Sequence, residues 1–454
     1  MVTLEGLAMR NVGLPSILAG IGLAVVLAPS AAAQTGQPGG TAQVTFTRDV
    51  APILQRSCQK CHRPGSMAPM SLLSYQDARP WARAIKREVE ARNMPPWHIA
   101  RGIGVQKFKD DPSLSDAEIA TIAKWVDSGA AQGNPADMPP PVQFRDDNAW
   151  TIGEPDMVVT STRHVIPREG SDWWGNYEID TGLTEDRWLR AVEAKPGLGN
   201  KQVTHHLVGT LVQSADDSTN LLGRTGGAGG EQFLVEYAVG KNGDIFPEGT
   251  ARLVKAGAKI RFNMHYHPIG EQKTDQSQIA LYFYPKGYTP KYYYQSSHTG
   301  DNDDMDLPAG VDNIRTEGYS RLNQNARVTA FQPHLHNRGK AQCMEAIYPD
   351  GTLEMLSCVD RYKFGWHIVY NYADESAPLL PKGTLLKITS WHNNTASNIY
   401  NPDPSNWAGF GQRSIDDMSF AWVSYVWLDD EEFAKQAAAR KAAQPQTTQQ
   451  QQQP

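Results

Sequence analysis

The chain has 454 residues, a formal net charge of −6, 40% hydrophobic and 20% charged residues. That length suggests about three domains. The composition is that of a folded, water-soluble protein, and the mild acidity argues against a nucleic-acid partner, which calls for a basic face.

The first segment reads as an export signal. Arg10 precedes an apolar run from Leu14 to Leu27, and Ala31 and Ala33 form an A-x-A pattern, so residues 1–33 are expected to leave by cleavage after Ala33. The run is short for a bilayer span, which takes about 20 residues. No stable membrane insertion is expected, an uncleaved anchor being the alternative. The mature chain is then periplasmic, in an oxidising compartment where disulfides persist.

Residues 45–138 read as a small all-α domain. Val50, Ile53, Leu54 and Ser57 recur at helical spacing. Cys58, Cys61 and His62 follow in C-x-x-C-H order, the attachment pattern of a c-type haem. The two thiols would bond the haem, and His62 would be the proximal iron ligand. A redox CxxC pair would need a thioredoxin-like pattern and half a zinc site would need partner cysteines, and the sequence shows neither. Ser115 and Glu118 predict a capping box before an apolar face of Ile119, Ile122, Ala123 and Val126, with Gly129 as the stop. The sixth iron ligand must come from the other haem face. Met67 and Met70 follow His62 too closely to cross easily; Met94, in a loop stiffened by Pro95 and Pro96, has the reach. A thioether there raises the potential and favours electron transfer. Met70, His98 or an open site are the alternatives. The region is similar to the small cytochrome c domains fused to other modules in exported bacterial proteins.

A proline-rich linker at 139–149 separates this domain from a β-rich region running from Trp150 to Leu428. Short runs of Val, Thr, Tyr and Phe alternate there with turn residues, which implies β-sandwiches. The region is long for one, so two are expected, at 150–290 and 291–430. Cys343 and Cys358 flank a "PDG" turn signal at Pro349–Gly351 and are expected to form a disulfide across that hairpin. The stretch Gly223–Gln232 is glycine-rich but lacks the context of a phosphate cradle and reads as a mobile loop. The tail 431–454 starts as a possible helix and is expected to be disordered.

Twelve histidines include three pairs in the β-rich region: His205 with His206, His265 with His267, His334 with His336. Imidazole suits copper and zinc. His334 and His336, two apart on a strand, would aim at one spot. His205 and His206 would face opposite ways in a regular strand, so joint binding needs a bulge or twist.

The succession "VTHHLVG", "FPEGTARLVKAGAKIRFNMHYHPIG", "FQPHLHNRGK" and "SIDDMSFAWVSYVW" resembles the copper type II, ascorbate-dependent monooxygenases, the family of the peptidylglycine α-hydroxylating and dopamine β-monooxygenases. The resemblance covers Trp150 to Leu428. It implies two jelly-roll-like sandwiches, one holding an electron-transfer copper through His205, His206 and His265. The second would hold an oxygen-activating copper through His334, His336 and Met418, the soft thioether favouring Cu(I). Each copper would give one electron, and a substrate C–H bond would be hydroxylated with O2. His267 reads as a support to the ligands or as structural; His164, His298, His367 and His392 read as structural.

Three positions depart from the family. Gln332 stands where an arginine helps hold a peptide carboxylate, Phe420 where asparagine is expected, and Trp422 where an aromatic hydroxyl is expected. A peptide substrate is therefore disfavoured, and a more apolar small molecule is expected. The cytochrome c domain is foreign to the family and suggests that haem, fed by a periplasmic electron donor, replaces ascorbate. Two other readings stand beside this one: a non-catalytic copper and haem electron-transfer or copper-binding protein, and a β-rich binding module beside a cytochrome that is the only redox centre.

Overall fold

The computed structural model describes residues 43–66, 68–144, 149–198, 201–214, 231–238 and 243–443. The export segment, Met67, most of the glycine-rich stretch and the last residues of the tail lie outside these. An N-terminal helical region is followed by several antiparallel β-sheets. No described helix is long and apolar enough to cross a membrane.

The helical region forms as its local signals dictate. Helices Ala51–Ser57, Ala82–Glu90 and Asp116–Asp127 surround a core in which Phe46, Leu54, Ile122 and Trp125 are fully buried. Ser115 Oγ accepts from the Glu118 N–H, and the Glu118 carboxylate accepts from the Ser115 N–H at 2.8 Å, completing the capping box. Gly129, at φ +96°, takes the chain out of the last turn.

The domain expected at 45–138 is not self-contained. Residues 97–109 leave the helices as an arm, whose residues 99–105 lie along the β-strand Leu353–Val359, the edge of its sheet, and whose residues 107–109 pair with 371–373. The Ala100 and Val105 N–H groups donate to the Cys358 and Leu356 carbonyls at 2.8 and 2.9 Å. Gly104 permits the approach: at φ +64°, any Cβ there would stand 2.4 Å from the Leu356 oxygen. Ile99 enters the second β core. The arm thereby covers an edge that would otherwise expose unpaired backbone groups.

Two separate cores fill the β-rich region. The first lies between one half of a ten-stranded sheet and a four-stranded sheet ordered Trp173–Asp180, Lys259–Tyr266, Thr204–Val212, Glu231–Ala238. The second lies between the other half and the sheet ordered Ile314–Arg321, Leu385–His392, Gly339–Ile347, Leu353–Val359. The ten-stranded sheet runs unbroken past the expected boundary at 290–291. A short parallel pairing of Tyr292 and Tyr293 with Thr250 and Ala251 joins its halves.

Cys343 and Cys358 face each other on neighbouring strands and form the expected disulfide, closing a hairpin whose turn is tightened by Gly351 at φ +86°. The bridge spans a sequence separation of 15 residues. A Cys343→Ala, Cys358→Ala variant should lose about 3 kcal/mol of unfolding free energy. Denaturant titration checks this, and a loss below about 0.5 kcal/mol would contradict the entropic account. The tail starts as a helix, as expected, and is therefore not disordered over Asp430–Ala443, where acids in the first turn and bases in the last suit the helix dipole.

Candidate metal centres

Three histidines converge through a defect in strand pairing. On the strands Thr204–Val212 and Lys259–Tyr266, Thr204 pairs with Tyr266 and His206 with His265, so His205 is the extra residue of a bulge. The bulge swings two successive side chains to one side, as the sequence required. His205 Nδ1 and His206 Nδ1 stand 3.1 Å apart. One ring nitrogen from each of His205, His206 and His265 lies within 4.8 Å of the others. Among the described residues this is the group of histidines, cysteines and acids that could share an ion.

The protonation chemistry suits a cation. Burial, then the neighbouring imidazoles of His265 and His367, hold His205 down to about 3; burial also holds His206 well below its usual value. Both rings are thus neutral near pH 7 and offer lone pairs. His265 Nε2–H donates to Asp172 Oδ2 at 2.7 Å, which leaves its buried Nδ1, without a hydrogen-bond partner, for a metal. His267 is exposed and instead binds the other Asp172 oxygen at 2.6 Å. Such a carboxylate fixes the tautomer and aim of a ligand. Asp172→Ala should therefore weaken copper or zinc binding at this cluster by about 10–100-fold. Competition titration checks this, and an unchanged affinity would contradict it.

The second cluster is built differently from expectation. The strand Asn325–His334 ends on His334, and His336 lies beyond it in the turn before Gly339–Ile347. The two rings still meet, with centroids 5.5 Å apart at 73°. The turn is pinned by the fully buried Asp417, whose carboxylate accepts the N–H groups of His336 at 2.9 Å and Arg338 at 3.2 Å. His336 Nδ1–H donates to the Asp416 carbonyl at 3.2 Å, leaving Nε2 as the ligating nitrogen. His334 Nδ1 is buried without a hydrogen-bond partner, and its ring stacks on Phe420 at 4.5 Å.

One cavity of about 520 Å³ is walled by His206 of the first cluster and by His334, His336 and Met418 of the second. Its apolar side comes from Phe233, Phe420 and Trp422; the Phe233 and Trp422 rings stand 3.8 Å apart. His298, which the sequence left as structural, packs 4.0 Å from both Phe420 and Trp422 and lines the same cavity. Gln332 donates its amide to Glu236, a buried carboxylate from the other β core. His164 is half-buried and stacks on Tyr266 at 5.1 Å, and the buried His392 backs the second cluster, its Nδ1 3.6 Å from Asp417.

Cys58, Cys61 and His62 follow the first helix. Burial, then the neighbouring Cys61, pushes the Cys58 thiol up to about 12. Burial lowers His62, and the Met70 backbone carbonyl opposes that shift. His62 Nδ1 is buried without a partner in normal hydrogen-bond geometry. Met94 lines a separate cavity of about 140 Å³ with Trp97, Leu114, Ile119 and Arg361, a group containing none of the motif residues. His98 is buried in the arm, its backbone N–H donating to the Tyr370 hydroxyl at 3.2 Å.

No family model and no curated protein matches the chain. Among solved structures it is similar to the naturally occurring empty particles of cowpea mosaic virus, at 9% identity and TM-score 0.30, over 64% of this chain and 94% of that one. The major capsid protein P2 of bacteriophage PM2 follows at 12% and 0.25, over 60% and 99%. Allantoicase follows at 11% and 0.17, over 55% and 77%. These likenesses carry no argument about the chemistry of the site.

Proposed function

We propose that this protein is an exported, haem-linked dicopper monooxygenase that hydroxylates a C–H bond of a small molecule with O2. The observation that carries the reading is that the cluster of His205, His206 and His265 sends His206 to the same cavity that His334, His336 and Met418 line. His205, His206 and His265 would hold one copper, and His334, His336 and Met418 the other. Bound copper would supply single electrons and activate O2.

The chain's own residues would do the rest. Phe420 and Trp422 wall the cavity beside His334 and seat an apolar part of the substrate. Glu236, held by Gln332, places the protein's own carboxylate where the family holds a substrate carboxylate. A second carboxylate there would meet like-charge repulsion in a poorly solvated place. The substrate is therefore uncharged or cationic. Cys58, Cys61 and His62 would attach the haem that accepts electrons from a periplasmic donor, with Met94 as the proposed sixth ligand.

Single-turnover kinetics test this. Pre-reduced, copper-loaded protein mixed with O2 should reoxidise its haem, and His334→Ala should slow that step by at least about 100-fold. Haem reoxidation at equal rates with and without copper would overturn the link between haem and copper.

A further inference from the structure

One wall of the cavity is a sheet face that carries more than histidines. On the strand Lys259–Tyr266, Ile260, Phe262 and Met264 are buried in the first β core, so the alternating Arg261, Asn263 and His265 face the other way. Arg261 and Asn263 line the cavity, as do Trp174 and Asn176 of the neighbouring strand, where Trp174 pairs with His265 and Asn176 with Asn263. A row of side chains therefore leads away from the first cluster, roughly 13 Å from His265 to Arg261 at about 3.3 Å per residue. We infer that this face binds a linear, neutral oligosaccharide, and that the substrate is such a chain with one end at the histidines. The inference rests on the cavity being the substrate site, as proposed above, and names the class of molecule it takes.

The charged groups of the wall are committed within the protein. Arg261 donates to Glu178 at 2.6 and 2.9 Å and to Glu231 at 2.8 Å. Arg413 donates to Asp416 at 2.7 and 2.9 Å. Glu236 is turned to Gln332 and to His367, whose Nδ1 stands 3.6 Å from its Oε1. A charged group on the ligand would have to displace one of these partners, and an uncharged one displaces none.

Amides and an indole supply the recognition. The Asn263 amide donates to Asn176 Oδ1 at 2.9 Å, which leaves the Asn176 amide as a donor and the Asn263 carbonyl as an acceptor beside each other. A hydroxyl both donates and accepts, so the hydroxyls of one sugar ring match this pair. Trp174 is 37% exposed next to it, with one face stacked on His265 at 4.4 Å. Its other face suits the apolar C–H face of a sugar ring. Phe420 and Trp422 alone suggested an apolar molecule. Together with this sheet face they suit a ring that is apolar above and below and hydroxylated at its rim.

Isothermal titration of the full-length, oxidised protein tests the inference. No reductant is present, so binding is read apart from chemistry. The probes are cellotetraose, maltotetraose and chitotetraose, with glucose, the cationic aromatic tyramine and the anionic acylglycine hippurate as comparisons. At least one tetramer should bind about 10-fold or more tighter than glucose, because only a chain reaches along the row. Tyramine and hippurate should bind more weakly than that tetramer. An Asn176→Ala, Asn263→Ala variant should lose about 10-fold in tetramer affinity, the worth of one or two hydrogen bonds. The selectivity of the wild-type protein does not depend on how any variant folds. Tetramers no tighter than glucose, tighter binding of tyramine or hippurate, or undiminished tetramer binding in the variant would each overturn the inference and leave the monooxygenase proposal standing. Tetramer binding as expected, with no effect of copper on haem reoxidation, would overturn that proposal and keep the oligosaccharide site.

Discussion

Replacing Asp417 by alanine is expected to lower the unfolding free energy by about 3–5 kcal/mol, the range for removing one partner of a buried charged network. The same change should abolish metal binding at the second cluster while sparing the first. Asp417 is fully buried, and its two oxygens accept the backbone N–H groups of His336, Arg338 and Met418 at 2.9, 3.2 and 2.9 Å. One carboxylate thus ties the turn that bears His336 to the segment that bears Met418. Alanine leaves three donors unsatisfied in a dry place, each costing about 1–3 kcal/mol. Asparagine keeps an acceptor and should lose less. Denaturant unfolding combined with copper titration checks both. A loss under about 1 kcal/mol with both metals still bound would contradict the argument.

The metal-free protein should lose most of its stability between pH 6.5 and pH 4.5. Burial lowers His205, His206, His265, His334 and His367, with His205 near 3 and His367 near 4. The unfolded chain protonates these rings below about 6.5 while the folded chain keeps them neutral, so the unfolded state binds more protons and stability falls as pH falls. The loss runs from about pH 6.5 down to the folded values, on the order of 1 kcal/mol per pH unit for each fully engaged histidine. With five such rings, two pH units of acid approach the whole stability of an ordinary domain. Asp417 and Asp172 titrate later. Burial would raise both carboxyls, but His392 and the His336 N–H hold Asp417 down, and His267 and His265 hold Asp172 down. Their contribution is therefore kept until pH falls through values below the usual carboxylate range. Denaturant midpoints at pH 7.5, 6.5, 5.5 and 4.5 read the slope. A flat profile down to pH 5 would show that these histidines are not buried as neutral rings.

Features set by neighbouring residues were legible in the sequence. The Ser115–Glu118 capping box, the stop at Gly129, and the disulfide across the turn at Pro349–Gly351 each depend on a short stretch, and each is present. The bulge at His205 was legible as a requirement: two neighbours can share a target only if the strand pairing slips. The turn that carries His336 was not, because Asp417, which sets it, is 81 residues away. Asp172 lies 93 residues from His265, and Glu236 lies 96 from Gln332. Nothing local to those acids marks them as part of a site. His367 and His298 carry no spacing pattern and gain their setting only from strand order. The arm at 97–109 was hidden for the same reason: Gly104 reads as a loop glycine until the Leu356 carbonyl is placed against it.

The central claim is that this chain holds two metal ions beside one cavity. Metal content per haem, measured by elemental analysis with a haem assay on protein matured in copper-replete periplasm, tests it most directly. The account predicts two coppers per haem, and one in a His334→Ala, His336→Ala variant whose His205, His206 and His265 cluster is intact. One copper or none in the wild-type protein would contradict the dicopper mechanism and leave an electron carrier or a binding protein in its place.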